Sequence, residues 1–243
     1  METSLIPGLP EEKSVGGFSK ILNIFFEPRK VFESLKTKPT WLVPFIILVL
    51  ISVVSMYLTY PFIMADTIEK IRTNEKIPDE QKEMIVSRME ENTQPPWWQV
   101  ALAPVGVLIY FLIVSGILFF VGNVLLGGDS SFRKVFSVYI YSSLVAIPAA
   151  IIKIPLAVAK KTAEVQTSLA LFLSPDIKEA FIYRFFAHFD IFNIWMIILV
   201  SLGLAVMYNF TVKKSFTTVF ALWLLWAIVS SSLAGLFGGL MRF

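Results

Sequence analysis

Five long apolar runs, separated by polar segments, dominate the pattern of hydrophobic and polar positions along the chain. Each run is long enough to cross a bilayer, because about 20 residues of α-helix span the hydrocarbon core. The pattern therefore predicts an all-α, polytopic integral membrane protein with five transmembrane helices. We place the spans at about residues 41–65, 99–126, 135–159, 191–211 and 216–241.

Two short amphipathic helices are predicted at residues 18–40, after a tail over residues 1–17 that is expected to be disordered. Apolar residues recur at helical spacing, Pro28 separates the two helices, and basic side chains supply the polar side. Such helices either lie on the membrane surface or pack on the membrane domain, and the pattern fits both. The residues predicted to meet the membrane or a partner are Phe18, Ile21, Leu22, Phe25, Arg29, Lys30 and Phe32.

Residues 66–98 and 160–190 are predicted to be polar loops, whereas residues 122–134 are predicted to form a tight hairpin between the second and third spans. In the hairpin, Gly127-Gly128 can supply the positive φ that ends a helix, and Asp129 or a following serine can cap the next one. The two spans on either side of this turn are therefore expected to be antiparallel neighbours.

Composition supports membrane residence and narrows the chemistry. Hydrophobic residues make up 56% of the chain and charged residues only 16%, and the net charge is +3, whereas soluble domains have about 25% charged residues. The basic residues lie beside the apolar runs and form no single stripe, so a nucleic-acid partner is not expected. With no cysteine and one histidine, and without a phosphate-binding loop or a nucleophile elbow, we expect no cofactor and no enzymatic activity.

Four polar residues near the predicted spans are candidate functional residues. Lys153 lies between two prolines in the third span, where a charge is costly unless it reaches the interface, a cavity or a partner. Asn123 adjoins the hairpin. His188, two residues before Asp190, could form a pH-responsive pair with it; alternatively, His188 makes an interfacial hydrogen bond and Asp190 caps the fourth span.

The fifth span carries small residues at intervals of four, Ser231, Gly235 and Gly239, which let helix backbones approach closely. This stripe is predicted to pack against another helix of the chain or against a second copy. Basic residues divide equally between the two sides of the membrane, but the two compact basic turns, Arg133-Lys134 and Lys213-Lys214, favour a cytoplasmic amino terminus.

Three ordered motifs resemble the bacterial branch of the Yip1 domain family. They are FSKILNIFFEPRKVFESLKTKPTW at residues 18–41, GGDSSFRKVF at 127–136 and FDIFNIW at 189–195. The resemblance implies residence in the cytoplasmic (inner) membrane of a bacterium, with the amino terminus in the cytoplasm and the carboxy terminus outside. The chain lacks the Asp-Leu-Tyr-Gly-Pro type motif of eukaryotic relatives, so GTPase binding is not carried over.

Two functional hypotheses follow. In the first, the protein is an adaptor or membrane-organising subunit that engages the lipid bilayer and a partner membrane protein, such as an exporter, or a second copy of itself. In the second, it moves a small solute or a lipid through the helix bundle, with Lys153 and Asn123 near the path. The first is favoured, since a transporter is expected to carry more intramembrane polar residues than Lys153 alone.

Overall fold

The computed structural model describes residues 17–75, 77–91, 94–163, 165–178 and 180–240, and this part of the chain holds helices and turns without a β-strand. The predicted tail therefore lies almost entirely outside the described residues. Five helical segments are long and apolar enough to span a membrane, which confirms the all-α, polytopic membrane fold. The α-helices are α1 Gly17–Phe26, α2 Pro28–Thr37, α3 Leu42–Arg72, α4 Asp79–Glu91, α5 Trp97–Phe120, α6 Phe132–Ser142, α7 Ala146–Lys160, α8 Phe181–Ala187, α9 Ile191–Tyr208 and α10 Val212–Leu240.

Several helices begin or end away from their predicted bounds. The first span continues to Arg72, because residues 66–72 contain no proline or glycine and the helix extends past the apolar run. The fourth ends at Tyr208, where Asn209 takes a left-handed conformation with φ of 55°. The third span is interrupted by a 3₁₀ turn at Ser143–Val145. Pro148 explains this break, since its ring clashes with the carbonyl four residues earlier.

The middle of the bundle is formed by α6, the 3₁₀ turn that follows it and α9. In the apolar window of the α6–α7 span 61% of the residues are buried, and in α9 50%, against 17 to 22% in α3, α5 and α10. Around this centre, α5 packs against α6 and α10 against α9, while α3 packs against α7. Their remaining apolar surface is therefore available to lipid or to another membrane protein.

The amino-terminal helices pack against the bundle, so the second of the two interpretations of residues 18–40 agrees with the structure. Ile24, Phe32 and Leu35 are completely buried. The edge of Phe25 contacts Trp195 near the start of α9, and Lys36 reaches Asn209 at its end. The two helices together thus accompany most of the length of α9.

Gly203 permits the close approach of three helices at this place. A Cβ added to Gly203 would lie 2.4 Å from Val138 Cγ1 of α6 and 3.1 Å from the Phe32 ring of α2. Any larger residue at position 203 would therefore push α2 or α6 away from α9. The absence of a side chain here seats α2 in the bundle.

Candidate functional site

Lys153, the charged residue inside the third span, forms an ion pair with Asp190. Its Nζ lies 2.8 Å from Asp190 Oδ2 and 5.5 Å from the centre of the Phe192 ring, which is within cation–π range. The Asp190 side chain is 8% exposed and that of Lys153 36%. The pair joins the second half of α7 to the beginning of α9.

Asp190 also organises the loop that leads into α9. Its Oδ1 accepts a hydrogen bond from the Phe192 amide at 2.8 Å, so Asp190 is the N-cap of α9. The Thr167 hydroxyl donates to Oδ2, and Ser168 and Asp190 form an isolated antiparallel bridge. Burial by itself raises the pKa of Asp190, but the hydrogen bonds from Lys153, Thr167 and the Phe192 amide, with the charge of Lys153, lower that pKa below its ordinary value.

His188 makes a hydrogen bond with a serine of the last helix and none with Asp190. Its Nε2 lies 2.9 Å from Ser230 Oγ, and its backbone oxygen accepts from Asn193 Nδ2. Burial lowers the pKa of His188 below its ordinary value. The pH-responsive pair of His188 with Asp190, which the sequence suggested, is therefore not formed in this structure. Lys153 and Thr167 bind the Asp190 carboxylate instead.

Asn123 lies at the opposite end of the bundle from Lys153. Its Nδ2 donates to the Ser130 carbonyl at 3.0 Å and so closes the hairpin turn. The chain around it, Val121–Leu125, is a π-helix, and Gly127 has φ of 66°, the left-handed conformation predicted there. A Cβ added to Gly122 would lie 2.4 Å from Tyr208 Cζ, so this glycine lets the hairpin press onto the end of α9.

An exposed apolar stripe runs along the outer face of α1. Phe18 is 72% exposed, Leu22 51% and Phe26 81%, at intervals of four residues. Ile21, grouped with Phe18 and Leu22 by the sequence pattern, is instead buried and only 4% exposed. That grouping was wrong because the buried and exposed apolar residues of α1 cover both sides of the helix. The exposed stripe includes Phe26, whereas the sequence pattern had assigned Phe25 to it.

A groove separates α2 from the end of α9. One wall carries Arg29, Glu33 and Lys36, at intervals of four and three residues on α2. The other wall, on α9 and the turn after it, is largely apolar and includes Leu202, Val206 and Asn209. The groove has a volume of about 360 Å³, which is within the range of small-molecule sites.

The predicted packing stripe on the last span is partly within the described residues. Ser231 is 2% exposed, and α10 contacts α8 and α9 of the same chain. Gly235 and Gly239 continue the helix, but their surroundings lie outside the described part. At Ser231 the stripe therefore packs inside the chain.

The structure adds residues that sequence reasoning did not single out, above all Thr167, Lys36 and Asn209. Thr167 lies in a loop with no regular pattern, so nothing in the sequence tied it to Asp190. Asn209, just before the basic turn, could have been identified from the sequence as the end of a helix, since asparagine tolerates the left-handed conformation. Within the described residues, no group of three or more His, Asp or Glu side chains could hold a metal ion.

Comparison with known families gives one finding. The profile described as the Yip1 domain matches residues 22–234, which include all five candidate spans and the second half of α1. Searches of curated proteins and of solved structures returned no match.

Proposed function

The chain belongs to the Yip1 domain family, and from this premise we propose that this integral membrane protein is an accessory or membrane-organising subunit of a partner membrane protein, such as an exporter, and that it performs no enzymatic chemistry. The observation that carries the proposal is the exposed stripe of Phe18, Leu22 and Phe26. Rigid aromatic side chains on a fixed helix are typical anchors of protein interfaces.

The stripe is fixed because other residues of α1 pack against the bundle. Ile21 and Ile24 are at most 4% exposed, and Phe25 contacts Trp195 edge to face with ring centres 5.7 Å apart. The exposed residues thus form a surface whose shape is set before any partner binds. Preorganisation of this kind reduces the entropy lost on association.

The partner is tested by gentle extraction from native membranes and quantification of co-purifying proteins. Phe18→Gln combined with Phe26→Gln should release a partner that the wild type retains in fixed ratio, because both anchors are lost while the buried face of α1 stays intact. Met84→Gln is the matched control, since Met84 is 55% exposed on α4. A wild-type protein that purifies alone, or an equal loss in the control, would contradict the proposal.

Deleting α1 and α2 is a poorer test of the same idea. The deletion removes Val31, Phe32 and Leu35, each at most 2% exposed, from the core of the bundle. Loss of a partner after this deletion would then report lost folding. The point substitutions keep that core.

Movement of a solute or lipid through the bundle is the alternative, and the geometry supports it less. Lys153 is held by Asp190, and Asn123 closes a turn at the other end of the bundle. The test is flux across vesicles with the Lys153→Met variant, normalised to folded protein. Loss of flux at equal folded protein would support transport.

We place the protein in the cytoplasmic (inner) membrane of a bacterium, with its amino terminus in the cytoplasm and its carboxy terminus outside. The position of the basic turns supports this orientation. Lys214 Nζ donates to the Leu126 carbonyl at 3.2 Å, so the Lys213-Lys214 turn adjoins the hairpin that carries Arg133 and Lys134. Basic residues clustered at one end of a bundle are typical of the cytoplasmic side.

A further inference from the structure

The groove between α2 and α9 has walls of opposite character, and this contrast indicates its occupant. Arg29 and Lys36 supply two cations on the α2 wall against the single acid Glu33. Leu202 and Val206 are apolar residues of a membrane-spanning helix on the opposite wall. A molecule that matches both walls must be anionic and amphiphilic.

The charge of the groove is only partly neutralised within the chain. Glu33 Oε1 lies 3.1 Å from Arg29 Nε, so one cation is compensated. Lys36 Nζ donates to the neutral Asn209 Oδ1 at 2.6 Å and forms no ion pair among the described residues. A positive charge at Lys36 thus remains available to an anion.

The groove also lies where the headgroups of a bilayer are found. Asn209 and Phe210 belong to the turn between two spans, and Leu202 is seven residues before Asn209, about 10 Å along the helix. The polar end of the groove is therefore at the end of the spans, and its apolar wall runs from there into the bundle. Basic pockets between spans at the cytoplasmic side are typical sites for anionic lipid headgroups.

We propose that this groove binds one anionic phospholipid, with its phosphate at Lys36 and an acyl chain along Leu202 and Val206. The site is separate from the α1 stripe, so it does not depend on the proposed partner. Bound lipid would join α2 to α9 across the groove and stabilise their association by mass action.

The test is native mass spectrometry of the full chain in nanodiscs of phosphatidylcholine, with or without phosphatidylglycerol, followed by measurement of retained lipid. The wild type should retain one phosphatidylglycerol in preference to phosphatidylcholine. Lys36→Gln should lower that retention about fivefold, the usual effect of one cation near a lipid surface. Lys30→Gln is the matched control: Lys30 lies on the same helix, is paired with Glu27 at 2.6 Å and does not line the groove.

A second variant tests the apolar wall without changing charge. Val206→Trp should fill the groove and abolish specific retention while Arg29 and Lys36 remain. Equal retention of both lipids by the wild type, or equal losses in Lys36→Gln and Lys30→Gln, would overturn the proposal. Displacement of the lipid by millimolar inorganic phosphate would overturn it too, since it would assign the site to a free anion.

Discussion

At the scale of single residues, the pair Lys153–Asp190 decides how α7 and α9 meet. Asp190 is almost fully buried and binds three donors: Lys153, Thr167 and the Phe192 amide. Removing one of these partners leaves a buried carboxylate with less compensation, which costs more than the pair itself contributes. The ion pair is therefore a structural connection between two spans.

Lys153→Met should destabilise the protein by about 1–2 kcal/mol, less than a fully buried pair, because Lys153 is partly exposed and Asp190 keeps two donors. The measurement is thermal unfolding in detergent. Lys160→Met is the control, since Lys160 is an exposed lysine in the last turn of the same helix. An unchanged melting temperature in Lys153→Met would show that the pair does not fasten α7 to α9.

The stability of the protein should also fall in acid because of Asp190. Its pKa is lower in the folded chain than in the unfolded one, so its stabilising effect is present above the unfolded value near 4 and is lost as the pH falls through the folded value. Unfolding scans from pH 6 to pH 2 on wild type and Asp190→Asn check this. The asparagine variant should be less stable at pH 6 and should lose less stability toward pH 2.

Asp190 also shows which contacts of a single residue could be predicted from the sequence. Its place just before an apolar run favoured capping, which depends only on local spacing. Its pairing with Lys153 joins residues 37 positions apart, and no periodicity specifies which loop returns to which span. The same limit explains why Thr167 was not identified.

At the scale of helices, close contact in this bundle depends on positions without a side chain. Gly203 allows α2, α6 and α9 to meet, and Gly122 allows the hairpin to contact Tyr208. Among the described residues, no atom apart from the adjacent residues and the backbone of α5 itself lies within 4 Å of a Cβ added to Gly106 or Gly116. The glycines of this chain therefore differ sharply in what they permit.

Gly203→Ala should destabilise the protein by about 1–3 kcal/mol, because the new methyl group overlaps Val138 and crowds the Phe32 ring. Gly116→Ala should be neutral or slightly stabilising, since alanine favours helix where there is room. Melting temperatures of the two variants in the same detergent check this. Equal effects would mean that α2 is not seated at Gly203.

The spans themselves were predictable, because apolar length alone specifies them. The face of α1 that packs against the bundle could not be predicted, since apolar residues occur on both sides of that helix. The same holds for the groove, whose two walls are separated by more than 160 residues in the chain. Local sequence decides whether a helix forms, but it does not decide which helices pack together.

At the scale of the whole molecule, orientation in the membrane can be measured directly because the chain contains no cysteine. With the amino terminus in the cytoplasm, Glu83→Cys on α4 should react with an impermeant maleimide added to intact cells. Asp129→Cys in the hairpin should react only after the membrane is opened. Both positions are exposed, so the reverse pattern would mean the opposite orientation.

The seating of α2 against α9 also has a consequence for the order in which the protein is made. Lys36 and Asn209 are 173 residues apart, and a ribosome adding about 5–20 residues per second needs roughly 9 to 35 s to cover that distance. During this interval the apolar faces of α1 and α2 have left the ribosome, but α9 does not yet exist. Until α9 is inserted, these apolar faces must be covered by another apolar surface, and the membrane beside the insertion machinery is the nearest one. The surface-lying state that their sequence also fits would then be a stage in biogenesis that ends when α9 is inserted.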